Sequence, residues 1–155
     1  MHTIRIGNLA MTGFVLATTR KAPMARYIRL LAQLPPALLA LIFGAQGIMW
    51  LIRPTSAARF WGFPVPEGGL GLSSMIGALA SWCLIIALCL LLALIRKQRI
   101  WYYPPMMMFG LFAIGRIVAG VAHGAPLLPE RFIPELVFVG LLFLASRATG
   151  APRAA

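Results

Sequence analysis

Four long apolar segments, separated by short polar joints, make up most of this chain. They lie at about residues 28–52, 70–95, 101–122 and 132–147. Continuous apolar runs of about 20 residues are typical of transmembrane helices, whereas transmembrane strands alternate apolar and polar positions. The pattern therefore predicts an all-α fold, a polytopic transmembrane four-helix bundle that occupies residues 27–148.

Two of the segments depart from an ideal membrane span. The fourth has about 15 apolar residues before Arg147, or roughly 22 Å of helix, whereas the hydrocarbon core is about 30 Å thick. To cross fully, it must extend back through Leu127 or forward past Arg147. The first segment contains Pro35 and Pro36, which predict either a separate short helix before them or a kink.

The residues outside the four segments form two tails and one long joint. Residues 1–26 are basic and mixed in character, which predicts a flexible cytoplasmic tail, and residues 149–155 predict a second one. Translation could begin at Met1 or at Met24, and intact-protein mass spectrometry distinguishes the two. The joint at residues 53–69 is rich in aromatic residues, proline and glycine, which predicts an irregular interfacial loop.

Composition and charge agree with a membrane location. Of the 155 residues, 61% are hydrophobic and 11% are charged, whereas soluble domains average about 25% charged residues. The formal net charge is +11, but the basic residues lie mainly at the ends of apolar segments. That distribution favours membrane topology over nucleic-acid binding. We therefore expect membrane lipid as a partner and no nucleic acid.

The distribution of lysine and arginine predicts the orientation. If the N-terminus is cytoplasmic, ten basic residues lie on the cytoplasmic side and three on the other. The ten are Arg5, Arg20, Lys21, Arg26, Arg29, Arg96, Lys97, Arg99, Arg147 and Arg153, and the three are Arg53, Arg59 and Arg131. By the positive-inside rule, we expect a multi-pass protein of the cell inner membrane with both termini in the cytoplasm.

A group of polar residues lies at similar depth in the predicted bundle. Arg116 is the one basic residue away from the ends of an apolar segment, where a charge costs roughly 2.5–3.5 kcal/mol. Glu135 opens the fourth segment from the same side. Gln46, Ser73 and His123 also fall in this half of the bundle or at its rim. We therefore expect these five residues to form a polar constellation near one membrane surface.

Two interpretations of this constellation stay open. In the structural one, Arg116 and Glu135 form a bidentate ion pair that joins the third and fourth segments. In the other, a small polar cavity open to the outer face binds an anionic or polar ligand, with Arg116 as its anchor. The sequence contains no Asp, no Ser-His-acid set, no metal-ligand cluster and no phosphate loop. We therefore predict no catalytic residue, metal or cofactor, and a protein that is not an enzyme.

Small residues recur at helical spacing in three of the segments. Such stripes are typical surfaces for close helix contact in lipid. The predicted packing residues are Ala37, Ala40, Gly44 and Gly47 in the first segment, Ser73, Gly77 and Ser81 in the second, and Gly115 and Gly120 in the third. The leading functional interpretation is a non-enzymatic protein that packs with a second copy or a membrane protein partner through these stripes.

Several short motifs together resemble a known group of proteins. They are Gly44 and Gly47 before Pro54, then Gly77, then Gly115-Arg116, and finally Gly124 with Glu135. Over residues 28–147 the chain is similar to an uncharacterised family of small bacterial four-helix integral membrane proteins that are DoxX-like in pattern. The resemblance implies the fold but no established activity. A DoxX-like membrane redox enzyme is the third interpretation, although the second-segment Arg-Asp pair of neighbouring families is missing here.

Overall fold

The structure is a computed structural model that describes residues 8–64 and 69–149, apart from the side chains of residues 8–26, Arg29 and Arg131. Within these ranges the chain is helical and contains no strand. The α-helices are α1 (Asn8–Ile52), α2 (Pro54–Trp61), α3 (Gly69–Arg96), α4 (Tyr103–His123) and α5 (Pro129–Thr149), and a 3-10 helix runs from Arg99 to Tyr102.

Four of the helices are long and apolar enough to cross a membrane. Their apolar stretches are Leu30–Ile52, Gly69–Arg96, Arg99–His123 and Phe132–Thr149. These stretches coincide closely with the four segments that the sequence predicts. The all-α fold class is confirmed, and the chain is a multi-pass membrane protein.

The fourth span is longer than its apolar core suggests. The whole of α5 has 21 residues, or about 31 Å of helix. Its apolar stretch has 18 residues, or about 27 Å, which is close to a hydrocarbon core of about 30 Å. α5 begins at Pro129, because proline has no N–H to leave unpaired and its φ suits the first turn of a helix. At its other end α5 continues past Arg147, and the Thr149 hydroxyl donates to the carbonyl of Ala145 at 2.8 Å.

The first helix extends further towards the N-terminus than predicted. The backbone of residues 8–26 is helical and continuous with the first span, where the sequence predicted a separate tail. More than half of these residues are Ala, Leu, Met, Lys or Arg, which have high helix propensity. The predicted tail residues 1–7 and 150–155 lie outside the described residues, as do residues 65–68 of the predicted irregular turn.

α1 is one continuous helix that includes Pro35 and Pro36. The alternative of a separate short helix before these prolines is therefore wrong. Each proline removes one backbone donor. The carbonyls of Leu31 and Ala32 therefore lose their usual helical partners.

A short helix lies where the sequence predicted an irregular loop. α2 begins with Pro54. Gly62 follows its last residue and adopts the left-handed conformation, with φ 71°. Both features are local signals for a helix start and stop. Ala57 and Ala58 are buried, because α2 packs on the end of α1. This packing places Trp61 over the bundle.

The small-residue stripe of α1 lies in its interface with α3, the most extensive helix contact in the molecule. A Cβ added at Gly44 would lie 3.6 Å from the Cβ of Ala87. At Gly47 it would lie 2.7 Å from Cγ of Leu84, so only glycine allows the two helices to approach this closely. Ala40 is buried beside these glycines, whereas Ala37 is exposed.

The remaining predicted packing residues have different surroundings. Ser73, Gly77 and Ser81 of α3 are exposed, and a Cβ added at Gly77 would meet nothing within 4 Å. Gly115 of α4 is also exposed with open space around it. Gly120 faces the loop before α5, because an added Cβ would lie 2.7 Å from Cγ of Leu127. The stripe of α3 therefore takes no part in packing the described bundle.

The two ends of the bundle differ. At the end that we call the α2 end, α1 and α4 finish and α3 and α5 begin beside α2. At the opposite end, which we call the 3-10 end, Tyr102 is 0% exposed. Its hydroxyl lies within hydrogen-bond distance of Oγ1 of Thr149, at 3.3 Å, and Nη2 of Arg99 donates to the carbonyl of Arg147 at 3.2 Å. These bonds tie the last turn of α5 to the α3–α4 connection.

Candidate functional site

Arg116 of α4 and Glu135 of α5 meet at the α2 end. Nε of the arginine donates to Oε1 of the glutamate at 2.7 Å, and this is the ion pair that the structure shows among its described residues. The side chains are 38% and 12% exposed, respectively. The predicted contact between α4 and α5 is therefore present, and it joins two antiparallel helices near the same end.

The pair is not bidentate as predicted, and this part of the expectation is wrong. A fork-shaped contact needs two parallel N–H donors on the two carboxylate oxygens. Here the guanidinium engages Oε1 through Nε, while Oε2 is buried and has no hydrogen-bond partner in the described part of the chain. The carboxylate thus keeps an acceptor that the arginine does not use.

A cavity of about 170 Å³ lies beside the ion pair. All five α-helices contribute to its wall. The lining residues are Phe43 of α1, Trp61 of α2, Trp82 of α3, Phe109 and Arg116 of α4, and Glu130, Pro134, Glu135 and Phe138 of α5. We call this space the aromatic cavity, since five of its nine lining residues are aromatic.

The rings of the aromatic cavity contact one another in tilted and edge-to-face geometry. The centroid of Phe43 lies 5.3 Å from that of Phe109 and 5.8 Å from that of Trp82, at interplanar angles of 64° and 80°. Trp61 and Trp82 are 6.1 Å apart at 60°. Aromatic pairs prefer such arrangements, and each adds roughly 0.5–1.5 kcal/mol beyond area burial. The wall is therefore preorganised.

Two buried polar atoms of the cavity residues lack partners. Oε2 of Glu135 is an acceptor and Nε1 of Trp82 is a donor, and neither has a hydrogen bond in the described structure. An unsatisfied buried group costs about 1–3 kcal/mol. A third such atom, Nε of Arg99, belongs to the 3-10 end. Two of these three unmet requirements thus coincide with the aromatic cavity.

Pro134 adds another acceptor near the same place. It lies inside α5 and has no N–H, so the carbonyl four residues earlier, at Glu130, has no helical partner. Glu130 is in the first turn of α5, where an acidic side chain also interacts favourably with the helix dipole. The carboxylates of Glu130 and Glu135 thus belong to one short stretch of α5.

The other predicted ligand residues do not join the ion pair. Gln46 is half-buried, and its Oε1 accepts a hydrogen bond from Nε1 of Trp61 at 3.3 Å, so it supports a wall of the cavity. Ser73 is exposed on α3. His123 is exposed at the end of α4, next to Gly124, which has φ 64°. Neither of these two lines the aromatic cavity.

Sequence reasoning missed the aromatic residues and Glu130. The five rings come from five different helices, so no spacing along the chain relates them. Two weaker signals in the sequence pointed to them: Phe43 is three residues from Ala40 of the small-residue stripe, and Glu130 is one of only three acidic residues in the chain.

Cys83 and Cys89 are free and buried on α3, and the described residues contain no group of three metal-ligating side chains.

Arg116 also borders a wider apolar groove on the outside of α4. The groove measures about 490 Å³ and is lined by Phe63, Met108, Leu111, Phe112, Gly115 and Ala119 together with Arg116. Leu111 and Gly115 are exposed, so this surface faces the surroundings of the bundle. The arginine thus lies between an apolar surface groove and the aromatic cavity.

The chain matches no protein-family model, no curated protein and no solved structure. The geometry of the α2 end is therefore the basis for assigning a function.

We predict that the ion pair behaves as one unit in stability measurements. Arg116→Ala leaves the carboxylate of Glu135 without its cation, and we expect a loss of about 2–3 kcal/mol. This value is below the ~3–5 kcal/mol of fully buried pairs because Arg116 is partly exposed. Glu135→Ala should cost a similar amount, and the double variant should be no less stable than the worse single variant. Equilibrium unfolding in detergent measures all four proteins, and additive losses would contradict coupling.

Proposed function

We propose that this chain is a membrane protein that binds a small amphipathic molecule in the aromatic cavity. One observation carries the proposal: a buried carboxylate oxygen and a buried indole N–H, both without partners, belong to residues that line one cavity. Ligand pockets are typically apolar and aromatic, with a few convergent polar groups that fix orientation. The aromatic cavity has this composition.

A purely structural role for the ion pair explains less of the geometry. A clip between helices is strongest when both carboxylate oxygens are used, yet Oε2 of Glu135 is unused. A bound molecule that donates to this oxygen would satisfy it, and this supports the ligand-binding interpretation.

The proposed activity is binding without chemical conversion. The described lining residues of the aromatic cavity include one arginine and two glutamates but no serine, cysteine, histidine or lysine, so the hydroxyl, thiol and amine nucleophiles of covalent catalysis are not among them. The cavity also lies at the α2 end, whereas buried Tyr102 and the bonds around it occupy the 3-10 end. This arrangement favours binding over a carrier with a path through the bundle.

We expect both termini to face the cytoplasm, since ten basic residues then lie on the cytoplasmic side and three on the other. Four spans return the chain to the side on which it begins. The α2 end would then face the exterior of the cell inner membrane. In intact cells, a membrane-impermeant thiol reagent should label Arg59→Cys on α2 and should not label Lys97→Cys between α3 and α4. The reverse pattern would invert the assignment.

Binding in the aromatic cavity should be visible in tryptophan fluorescence. Titration with 4-bromobenzyl alcohol, a small aromatic quencher, should give saturable quenching because Trp61 and Trp82 line the cavity. In the Trp82→Phe variant, the quenchable fraction should fall by about a third or more. The matched control is Trp101→Phe at the 3-10 end, which removes a tryptophan outside the cavity and should therefore raise that fraction instead of lowering it. Unsaturable quenching that is equal in both variants would show partition into detergent and contradict the proposal.

A second candidate function is self-association through the exposed stripe of α3. The stripe of α1 is already used against α3, but the space around Gly77 is open. This candidate predicts a dimer of the wild type, detected by cross-linking in lipid. Gly77→Leu should abolish that dimer while leaving the unfolding temperature unchanged. Gly47→Leu, the matched substitution inside the bundle, should instead lower the unfolding temperature by overpacking. A monomeric wild type would remove this candidate.

A further inference from the structure

The acidic residues of the chain are concentrated at the aromatic cavity. The sequence contains three acidic and fourteen basic residues, yet the cavity is lined by Glu130, Glu135 and one basic residue, Arg116. The described lining residues therefore carry a formal charge of −1, within a chain whose net charge is +11. Such a local reversal of sign selects for a cationic ligand and against an anionic one.

The aromatic walls favour the same sign of charge. The faces of aromatic rings carry negative electrostatic potential and attract a cation within about 6 Å of the centroid, most strongly for tryptophan. Trp61 and Trp82 have centroids 6.1 Å apart, and both line the cavity with Phe43, Phe109 and Phe138. A cation in this space is therefore close to several rings at once, while one face of Trp82 is covered by Phe112, whose ring stacks on it with centroids 4.4 Å apart.

The unpartnered acceptors favour a ligand that donates hydrogen bonds, whereas Nε1 of Trp82 is a donor that such a ligand does not satisfy. Arg116 already engages Oε1 of Glu135, so this pair is neutral as a whole, and the remaining negative charge comes from Glu130. Oε2 of Glu135 belongs to a residue that is 9% exposed, and it has no donor. The backbone carbonyl of Glu130 also lacks its helical partner because of Pro134. An ammonium group with N–H bonds meets these acceptors, and a quaternary ammonium group does not.

From these three observations we infer that the ligand of the aromatic cavity is a small protonated amine that carries an apolar group. This inference rests on the proposed function and names the class of its ligand. The cavity of about 170 Å³ equals the space of five or six water molecules at about 30 Å³ each. It suits a molecule of about the size of benzylamine. The ammonium group binds near Glu130 and Oε2 of Glu135, and the apolar group packs against the rings.

Three probes of equal size but different charge test the inference. Benzylammonium chloride, benzyl alcohol and sodium benzoate are titrated into the purified full chain in phosphatidylcholine nanodiscs, whose lipid has no net charge. Dissociation constants come from the saturable change in tryptophan fluorescence. We expect benzylammonium to bind at least tenfold more tightly than benzyl alcohol and benzoate to bind most weakly. Benzyltrimethylammonium, which has no N–H, should lose at least fivefold relative to benzylammonium.

Substitutions at Glu130 locate the effect in the cavity. Glu130 is exposed, so Glu130→Gln should fold, and it should reduce the advantage of benzylammonium over benzyl alcohol about threefold or more. Glu130→Asp keeps the charge and should retain most of the preference, which separates charge from helix stability. The control is Arg59→Gln, which also changes one charge. Arg59 is exposed and does not line the cavity, so this variant should leave the ratio of the benzyl alcohol and benzylammonium dissociation constants unchanged.

The outcomes separate the inference from the proposed function. If benzyl alcohol and benzylammonium bind equally and Glu130→Gln changes neither, the cation preference is overturned while binding in the cavity stands. If benzoate binds most tightly, Arg116 is the anchor of an anion site, and the inference is also overturned. If none of the probes gives a saturable signal, both the inference and the proposed function fail.

Discussion

The need to neutralise one buried charge shapes the α2 end of this molecule. Arg116 lies in a membrane-spanning helix, where an unpaired charge is expensive, and Glu135 on α5 supplies the counter-charge at 2.7 Å. The contact joins α4 to α5 through a single N–H, which donates to only one of the two carboxylate oxygens. The other oxygen has no donor among the described residues, and the residue that carries it lines the aromatic cavity. Helix association and the proposed ligand binding thus share one glutamate.

The close contact between α1 and α3 lies beside this cavity. Gly44 and Gly47 bring α1 against α3, and Tyr102, Thr149 and Arg99 tie the last turn of α5 to the α3–α4 connection at the 3-10 end. At the α2 end, rings from five helices surround a space of about 170 Å³. α2 covers this end and holds Trp61 through the hydrogen bond to Gln46. Large side chains therefore line the cavity, and glycine lies at the helix interface beside it.

Sequence patterns predicted the elements and the main electrostatic contact, but not the shape of the site. The four spans follow from continuous apolar runs, and the Arg116–Glu135 contact follows because only one acidic residue lies in an apolar segment. The single-donor geometry depends on side-chain rotamers, which no pattern encodes. The convergence of Phe43, Trp82 and Phe138 depends on how each helix is rotated about its axis. α2 was missed although Pro54 and Gly62 mark its ends, because its eight residues are too few for a clear periodicity.

The difference between the two ends also decides what kind of binding is physically consistent. A channel or carrier for a charged solute needs polar groups along its whole length. These groups replace the hydrogen bonds that the solute makes with water, because hydrocarbon offers none. Here the described unsatisfied atoms of the cavity lie on Trp82 and Glu135, while Tyr102 at the other end is fully buried. On the proposed function, a ligand gains its contacts from the residues that line the aromatic cavity, and none of the described lining residues lies in the 3-10 helix at the opposite end. Such a site is consistent with binding at one membrane surface rather than with passage through the bundle.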